Sequence, residues 1–341
     1  MQILISLLVL GILVFVHELG HFVTAKLSKM PVSEFSIGMG PSVYSYTGEK
    51  TVYSFRAIPV GGFVNIEGME VDSELEDGFN NKKPILKFIV LFAGVFMNFL
   101  FAFILIFGST MVAGNYVQNT APVVGEVIEN SKIKNIILPK DKIIKINNIP
   151  IKEWTDISAT INSEAKANIL RLNVELERGR EKKIVNLDVM KDPSSDRFVI
   201  GIVPEFFKVK IGLKDGFIKS VNLTGKMFKD IFKGLGALIS GKVKKDDISG
   251  PIGIIKVLGS ASKEGMGILA YLTAMLSINL GILNLLPIPA MDGGRILFVL
   301  WEIIGIKISK KTEERVHYVG MIMLFALMFF ITVNDVFNLL K

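Results

Sequence analysis

The amino-acid sequence predicts a polytopic α-helical membrane protein with four transmembrane helices, a β-hairpin after the first helix and a folded α/β insert after the second. Half of the 341 residues are hydrophobic, and the mean hydropathy is +0.48. Four apolar segments reach the roughly 20 residues that a helix needs to cross a bilayer. Between the second and third segments, short alternating runs typical of strands replace the apolar stretches.

The composition excludes several classes of protein. The chain has no cysteine, so it forms no disulfide and offers no thiolate to a metal. Its formal net charge is +7, but no run of Lys and Arg is interleaved with aromatic residues, so we expect contact with lipid headgroups and not with nucleic acid. The first apolar segment lacks a basic start and a small-residue cleavage site, which predicts a retained span.

The predicted spans divide the chain into four regions. The spans are Ile3–Leu27, Phe88–Val112, Met266–Trp301 with a break, and Val316–Val336. The regions are 1–114 with the first two spans and the hairpin, 115–207 with the insert, 208–265 with an amphipathic segment and linker, and 266–341 with the last two spans.

Basic residues in the connections predict the orientation. The first connection carries Lys29, Lys50, Arg56, Lys82, Lys83 and Lys87, and the last one carries Lys307, Lys310, Lys311 and Arg315. Because cytoplasmic connections are enriched in Lys and Arg, we expect both on the cytoplasmic side of the membrane. Both termini and the insert would then be extracytoplasmic.

The first span contains the motif His17-Glu18-Leu19-Gly20-His21. On a helix, the four-residue spacing places both imidazoles on one face, where they can bind one Zn²⁺ with Glu18 beside them as a general base. Ionisable side chains within a membrane span are costly, so a functional role is the default interpretation.

The third span supplies a candidate for the remaining metal ligand. Pro287 and Pro289 interrupt the helix just before Asp292, and a carboxylate at that break needs a partner such as zinc. Both spans run inward, so Asp292 and the motif are expected at a similar depth near the cytoplasmic side. Of the alternatives, His317 is expected at the membrane interface. Glu34 lies too near the motif for the usual glutamate ligand on a downstream helix, and it follows the helix breaker Pro31.

The connection between the first two spans contains a hairpin signal. Two alternating runs from Ser42 to Ile66 flank Thr47–Lys50. Gly38 and Gly40 are expected before the first strand, and Gly61 and Gly62 at the end of the second. Two interpretations stay open: an ordinary cytoplasmic hairpin, or a β-edge that adds an extended substrate strand, with these four glycines as substrate-binding residues.

The insert and the following segment have their own patterns. The alternating apolar residues of the insert predict strands at Val123–Ile128, Asp141–Ile146, Ile169–Glu177 and Lys183–Val189, and a short helix is predicted at Trp154–Ile161. Their order resembles a PDZ domain of bacterial proteases. Gly216–Val243 has helical apolar spacing with interspersed lysines, which fits either a helix on the membrane surface or one packed against the insert.

Two motifs together resemble the site-2 protease family of intramembrane zinc metalloproteases. These are His17-Glu18-x-x-His21 and Asn284-x-x-Pro287-x-Pro289-x-x-Asp292-Gly293, and the four-span order with an extracytoplasmic PDZ-like insert is similar to the regulator-of-sigma-E protease branch. The resemblance implies Zn²⁺ bound by His17, His21 and Asp292, with Glu18 activating water and Asn284 holding substrate. The implied substrates are single-span membrane proteins such as anti-sigma factors, or remnant signal peptides, cleaved within the lipid bilayer.

Two other functions compete with this one. A catalytically idle membrane scaffold with a PDZ-like binding module should lack Glu18 or a metal ligand, and none is missing from the sequence. A metal transporter should show an inverted repeat, and none is visible. The sequence therefore favours the protease.

Overall fold

The computed structural model describes residues 1–69, 73–128, 133–191, 198–242, 250–306 and 308–340. The chain divides into two compact units. The helical unit comprises Met1–Ala113 and Gly212–Lys341, and the insert comprises Gly114–Ile211. The predicted amphipathic segment begins in the described part of the chain, but its last residue, Val243, lies outside the described residues, as does Lys307 of the predicted cytoplasmic connection.

The first helix, α1 (Gln2–Leu27), carries the metal-hydrolase motif. It ends in a Schellman turn, in which Lys29 adopts a φ of 56° and Met30 N donates to Ala25 O at 2.9 Å. The Met30 side chain is buried against the same end of the helix. This turn directs the chain back along α1 into the hairpin.

The hairpin consists of β1 (Val32–Thr47) and β2 (Val52–Ile66), so its turn lies where the sequence predicts it. The first part of β1 has a neighbour on each side, since Phe35 is paired with both Val64 and Tyr53. The two long strands therefore fold into a compact sheet, and the segment Gly62–Ile66 has register partners only in β1, at Val32–Ile37, among the described pairings.

The expected positions of the hairpin glycines were wrong. Gly38 and Gly40 lie within β1, and Gly61 and Gly62 lie within β2. Three of them, Gly38, Gly40 and Gly61, have φ values of 84° to 88°. These bends let each strand continue in a new direction, so the strands are longer than the alternating runs alone indicate.

The second helix, α2 (Pro84–Ala113), packs along α1 and α6. Pro84 occupies the first helical position, where its missing N–H is harmless. A short 3₁₀ turn at Phe79–Asn81 precedes it. The helix starts four residues earlier than the span that the hydropathy predicts. Lys87 lowers the hydropathy there, but it fits within the helix because it is buried and paired with Glu302, with Nζ 3.0 Å from each carboxylate oxygen.

The insert contains ten strands and one helix in its described part. They are β3 (Asn115–Gln118), β4 (Val124–Val127), β5 (Lys142–Ile146), β6 (Ile149–Pro150), α3 (Trp154–Lys166), β7 (Arg171–Arg178), β8 (Glu181–Asp188), β9 (Met190–Lys191), β10 (Phe198–Val199), β11 (Ile202–Pro204) and β12 (Phe206–Val209). A four-stranded antiparallel sheet has the order β6-β5-β7-β8, and the remaining strands pair as β11-β4, β12-β3 and β10-β9.

Each predicted element of the insert is present, and α3 extends five residues further than predicted. The core is aliphatic and includes Val124, Ile143, Ile146, Leu172 and Leu176, each fully buried. Its similarity to a PDZ domain stays a prediction.

Two helices follow the insert in the chain. The helix α4 (Leu213–Ile239) packs against α2 and α6, and its Met227 joins their apolar core. Its two predicted places, on a membrane surface or against the insert, stay predictions. After it, α5 (Pro251–Glu264) packs against α1, where Ser6 Oγ donates to Ile255 O at 2.9 Å.

The predicted third span is two helices, α6 (Met266–Leu285) and α7 (Asp292–Ile303). The break falls at the two prolines, as predicted. Asp292 is the first residue of α7, where a carboxylate is favoured by the helix dipole.

The last helix is α8 (Lys310–Leu340). Its buried Asp335 accepts hydrogen bonds from the main-chain N–H groups of Gly250, Ile252 and Gly253, at 2.9 to 3.1 Å, and thereby caps α5. Among the described residues, α1, α2, α6 and α8 are long and apolar enough to cross a membrane, and α8 is the least buried of them.

Candidate metal and active site

One turn of α1 supplies three of the candidate residues. His17 and His21 are both buried, and their Nε2 atoms lie 3.1 Å apart. Both rings face α2, where Val90 O lies 2.8 Å from His21 Nδ1 and the Asn98 Nδ2 lies 3.1 Å from His17 Nδ1. The helical spacing thus brings the two imidazoles together, as predicted.

Asp292 reaches the same point from the start of α7. Its Oδ2 lies 2.9 Å from His17 Nε2 and 3.4 Å from His21 Nε2. This oxygen is buried and has no satisfactory hydrogen-bond partner among the described residues, although two ring nitrogens are close. The proximity of Asp292 to the motif confirms the meeting of the two spans that the sequence predicts.

The hydrogen bond at Nδ1 of each imidazole decides whether its Nε2, which points to Asp292, carries a proton or a lone pair. A carbonyl only accepts, so His21 Nδ1 donates to Val90 O, and the neutral ring keeps a lone pair on Nε2. If the Asn98 amide presents its oxygen to His17 Nδ1, His17 adopts the same tautomer. Such partners behind a histidine ligand orient the ring and make it a better ligand.

The three atoms fit the dimensions of a zinc site. Zinc bonds to nitrogen and oxygen of about 2.0–2.2 Å in a tetrahedron separate the ligand atoms by roughly 3.3 Å. The observed separations are 2.9 to 3.4 Å. Two imidazoles with one carboxylate are also a common ligand set of catalytic zinc, and the unsatisfied Oδ2 of Asp292 faces the shared point.

Close packing of α1 on α2 depends on Gly94. A Cβ atom at this position would lie 2.3 Å from His21 Nε2 and 2.8 Å from His17 Cε1. No side chain fits there without moving an imidazole. Gly94 therefore shapes the candidate site although it offers no functional group.

Glu18 lies on the same turn, beside the hairpin. The main-chain N–H of Val64 hydrogen-bonds its carboxylate, and a Cβ built on Gly62 would lie 3.7 Å from Glu18 Cγ. A cavity of about 220 Å³ is lined by Val14, His17, Glu18, Leu280, Asn284, Ala290, Met291 and Asp292. Glu18 can therefore reach a molecule held next to the two histidines.

Of the five predicted substrate-binding residues, two lie beside the cavity or Glu18 and three lie elsewhere in the hairpin. Asn284 lines this cavity, with Nδ2 3.3 Å from His17 Nε2. Gly62 approaches Glu18, as described above. Gly38, Gly40 and Gly61 have their nearest neighbours in the hairpin itself, at Ile58 and Met39. These three glycines bend the strands, and the structure does not bring them to the cavity wall.

The interpretation of the sequence assigned no role at the site to three residues around it. Asn98 and Gly94 back the imidazoles from α2, and His317, which was expected at the membrane interface, has Nδ1 2.9 Å from Ala290 N beside the cavity. A polar residue in the middle of an apolar span, such as Asn98, is a detectable signal. Gly94 has no such signal, because glycine is frequent in membrane helices.

Comparison with known families decides what kind of protein carries this site. The model of peptidase family M50 matches residues 5–327. The chain belongs to peptidase family M50. This M50 peptidase is a site-2 protease type zinc metalloprotease, and its cofactor is Zn²⁺.

Similar proteins cover the whole length of this M50 peptidase. It is 48% identical over 340 residues to a protein of Fusobacterium nucleatum subsp. nucleatum whose name places it among zinc metalloproteases, covering 99% of both chains. A similarly named protein of Clostridium acetobutylicum is 36% identical, covering 98% of this chain and 97% of the relative. Zinc metalloprotease RasP of Bacillus licheniformis is 28% identical, covering 97% of each.

A solved PDZ domain, from an SdrC-like protein of Listeria monocytogenes, is similar to part of this M50 peptidase. The match covers 26% of this chain and 90% of the solved domain, at 16% identity and a TM-score of 0.22. That similarity is too low to assign a fold to the insert.

Proposed function

We propose that this peptidase cleaves membrane-spanning segments within the bilayer, with zinc held by His17, His21 and Asp292. The observation that carries the proposal is the convergence of His17 Nε2, His21 Nε2 and the unsatisfied Asp292 Oδ2 between helices that are apolar enough to span a membrane. When bound, zinc supplies polarisation of the scissile carbonyl and a lower pKa for the attacking water.

The protein residues perform the proton transfers. Glu18 takes a proton from the attacking water and gives it to the amide nitrogen of the leaving fragment as the C–N bond breaks, so the carboxylate is regenerated. Asn284 lines the same cavity, and its amide N–H can donate to a carbonyl of the substrate. Val64 N–H keeps Glu18 oriented toward that space.

The hairpin is proposed to hold the substrate in an extended form. Hydrolysis needs access to a backbone carbonyl, which a helix hides in its own hydrogen bonds. Gly62–Ile66 has register partners on one side among the described pairings and passes next to Glu18, so an extended peptide can add along this edge. Gly38, Gly40 and Gly61 contribute by bending the sheet, and Gly62 by leaving room beside Glu18.

The proposed substrates are single-span membrane proteins, of the type of anti-sigma factors, and remnant signal peptides. We place the site near the cytoplasmic side of a bacterial inner membrane and the insert outside, because the connections flanking the site are rich in Lys and Arg. Support for the idle-scaffold alternative is lacking, since the three candidate ligands lie together and Glu18 lines the same cavity as His17 and Asp292.

Cleavage of a model single-span substrate by the detergent-purified chain tests the chemistry. Glu18→Gln should reduce the rate by about 10²–10⁴-fold, the usual contribution of a general base, and leave the zinc content at one ion per chain. Glu181→Gln makes the same change at an exposed carboxylate of β8 and should leave both unchanged. Full activity of the zinc-loaded Glu18→Gln variant would show that Glu18 is not the base.

The orientation can be tested because the chain has no cysteine. Single cysteines at Ser163 in α3 and at Glu49 in the hairpin turn replace exposed residues. In right-side-out vesicles, a membrane-impermeant maleimide should label Ser163→Cys at once and Glu49→Cys only after permeabilisation. The reverse order would contradict the proposed sidedness.

A further inference from the structure

A side chain of the last helix contacts the break between α6 and α7. His317 Nδ1 accepts a hydrogen bond from the main-chain N–H of Ala290 at 2.9 Å. Ala290 is two residues before Asp292. A residue near the start of α8 is thus bonded directly to the segment that presents the candidate metal ligand.

The break needs a partner from outside. Pro287 and Pro289 have no N–H to donate, while Ile288 N and Met291 N are bonded to carbonyls within the break, at Leu286 and Ile288. Ala290 N is bonded to His317 instead. Ala290 also has a φ of 74°, a left-handed conformation that is unfavourable for an alanine and needs support from neighbours.

The imidazole of His317 is itself held in place. The ring of Phe298, on α7, lies 5.6 Å from it between centroids. Because Ala290 N–H donates to Nδ1, the neutral ring carries its proton on Nε2. Nε2 is buried without a hydrogen-bond partner among the described residues, and Glu313 Oε1 lies 3.9 Å away. The contact with Ala290 is therefore the ring's one close polar contact in the described structure.

A second contact lies one turn further along α8. A Cβ atom built on Gly320 would lie 2.3 Å from Pro289 Cβ and 2.7 Å from Pro289 O. The backbone of α8 therefore rests directly on the break, on the helix face that also carries His317. These two contacts fix a helix that is otherwise the least buried of the four candidate spans.

We propose that His317 is a positioning residue for the reaction, which holds the turn at Ala290 and so directs Asp292 toward His17 and His21. This inference rests on the proposed function in taking Asp292 as a zinc ligand. His317 touches neither zinc nor substrate. Its effect is expected on metal affinity and on the rate together, because both depend on where the Asp292 carboxylate lies.

A pair of nearly isosteric substitutions separates the hydrogen bond from packing. His317→Asn places Oδ1 where Nδ1 was and can still accept from Ala290 N–H, whereas His317→Leu cannot. Zinc affinity is measured by competition with a chelator, and cleavage is measured on the model single-span substrate. Loss of a partner behind a metal ligand usually lowers affinity or activity by about 10- to 100-fold, which is the decrease expected for His317→Leu.

The expected pattern is a rescue. His317→Asn should recover most of the zinc affinity and rate, and the d–d absorption of the cobalt-substituted protein should change in the Leu variant and not in the Asn variant. Val319→Ala, at an exposed neighbour on α8, should match the native chain. If the Leu variant does not fold, His317→Phe, which keeps a ring against Phe298, replaces it.

Two outcomes would overturn the inference: native zinc affinity and rate in His317→Leu, or equal losses in the Asn and Leu variants. Because zinc affinity is measured independently of cleavage, the role of His317 can be tested separately from the proposed function. A native chain that binds zinc and cleaves no membrane-spanning substrate would refute the proposed function, while the comparison of zinc affinities would still decide the role of His317.

Discussion

Two aspartates with buried carboxylate oxygens, one in each unit, have opposite surroundings. Asp141 of the insert is 1% exposed, and both of its carboxylate oxygens are satisfied. Arg178 donates to them through Nε at 2.8 Å and Nη2 at 2.7 Å, and Leu138 N donates at 2.8 Å. Arg178 also donates to Ile136 O, so this pair joins β7 to the segment before β5.

Asp292 of the helical unit has two imidazoles as its close polar neighbours. Its Oδ2 faces the Nε2 atoms of His17 and His21 and has no satisfied hydrogen bond among the described residues. His21 Nε2 meets it with a lone pair, because His21 Nδ1 donates to Val90 O. A buried carboxylate with complete hydrogen bonds stabilises a fold, whereas one that meets other lone pairs needs a cation. The comparison indicates that Asp141 has a structural role and Asp292 a chemical one.

The largest effect is expected from Asp292→Asn. Losing an anionic ligand should reduce cleavage by about 10³-fold, equivalent to several kcal/mol of stabilisation at the metal, and lower the zinc content. Circular dichroism and hydrogen exchange of the insert should stay as in the native chain. Unchanged zinc affinity would remove Asp292 from the ligand set.

Arg178→Met should affect the stability of the insert and leave zinc binding unchanged, the reverse of Asp292→Asn. It leaves Asp141 buried without its counter-charge, which should destabilise the insert by about 3 kcal/mol. Hydrogen exchange of the amides in β5 and β7 measures this loss, and zinc content should not change. The exposed Arg180, two residues away, provides the control, and Arg180→Met should have no such effect. Equal protection in both variants would mean that the Asp141 pair does not support the fold.

Gly94→Ala tests whether the site depends on geometry when no polar group is removed. The added methyl must displace an imidazole, and a shift of about 1 Å can lower a rate by 10²-fold. Gly108→Ala, on the same helix, places its methyl in open space and is the matched control. Zinc affinity and cleavage rate should fall in the first variant and not in the second.

A third carboxylate, Glu34 in β1, lies between these extremes and should have the smallest effect. Burial alone would raise the pKa of Glu34, but hydrogen bonds from Ser54 and Arg56 and the charge of Arg56 keep this pKa below its usual value. Its contribution to stability is therefore complete above the ordinary glutamate pKa of about 4.3 and is lost as the pH falls through the lower native pKa.

Hydrogen exchange of β1 and β2 as a function of pH measures this contribution. Because the pair is partly exposed, we expect an acid-dependent loss of only about 0.2–1 kcal/mol. Glu34→Gln should remove the pH dependence. A pH dependence that persists in this variant would assign it to another group.

Much of the site could be predicted from local sequence. The i, i+4 spacing of His17 and His21 settles their common face, and the two prolines settle where the third span breaks and Asp292 begins a new helix. Hydropathy predicts the four candidate spans, and alternation predicts the strands β4, β5, β7 and β8 of the insert. These features depend on neighbours a few residues apart in the chain, and so they can be read from the sequence.

Only the tertiary structure decided the contacts between distant segments. The sequence did not indicate that Val90 O and Asn98 would orient the imidazoles, that Gly94 would leave them room, or that β1 and β2 would bend back on themselves at their glycines. Nor did it indicate that His317 would accept a hydrogen bond from Ala290 N–H. Such contacts depend on how closely helices approach and how strands turn, and these distances follow from the packing of the whole unit, which no local periodicity encodes.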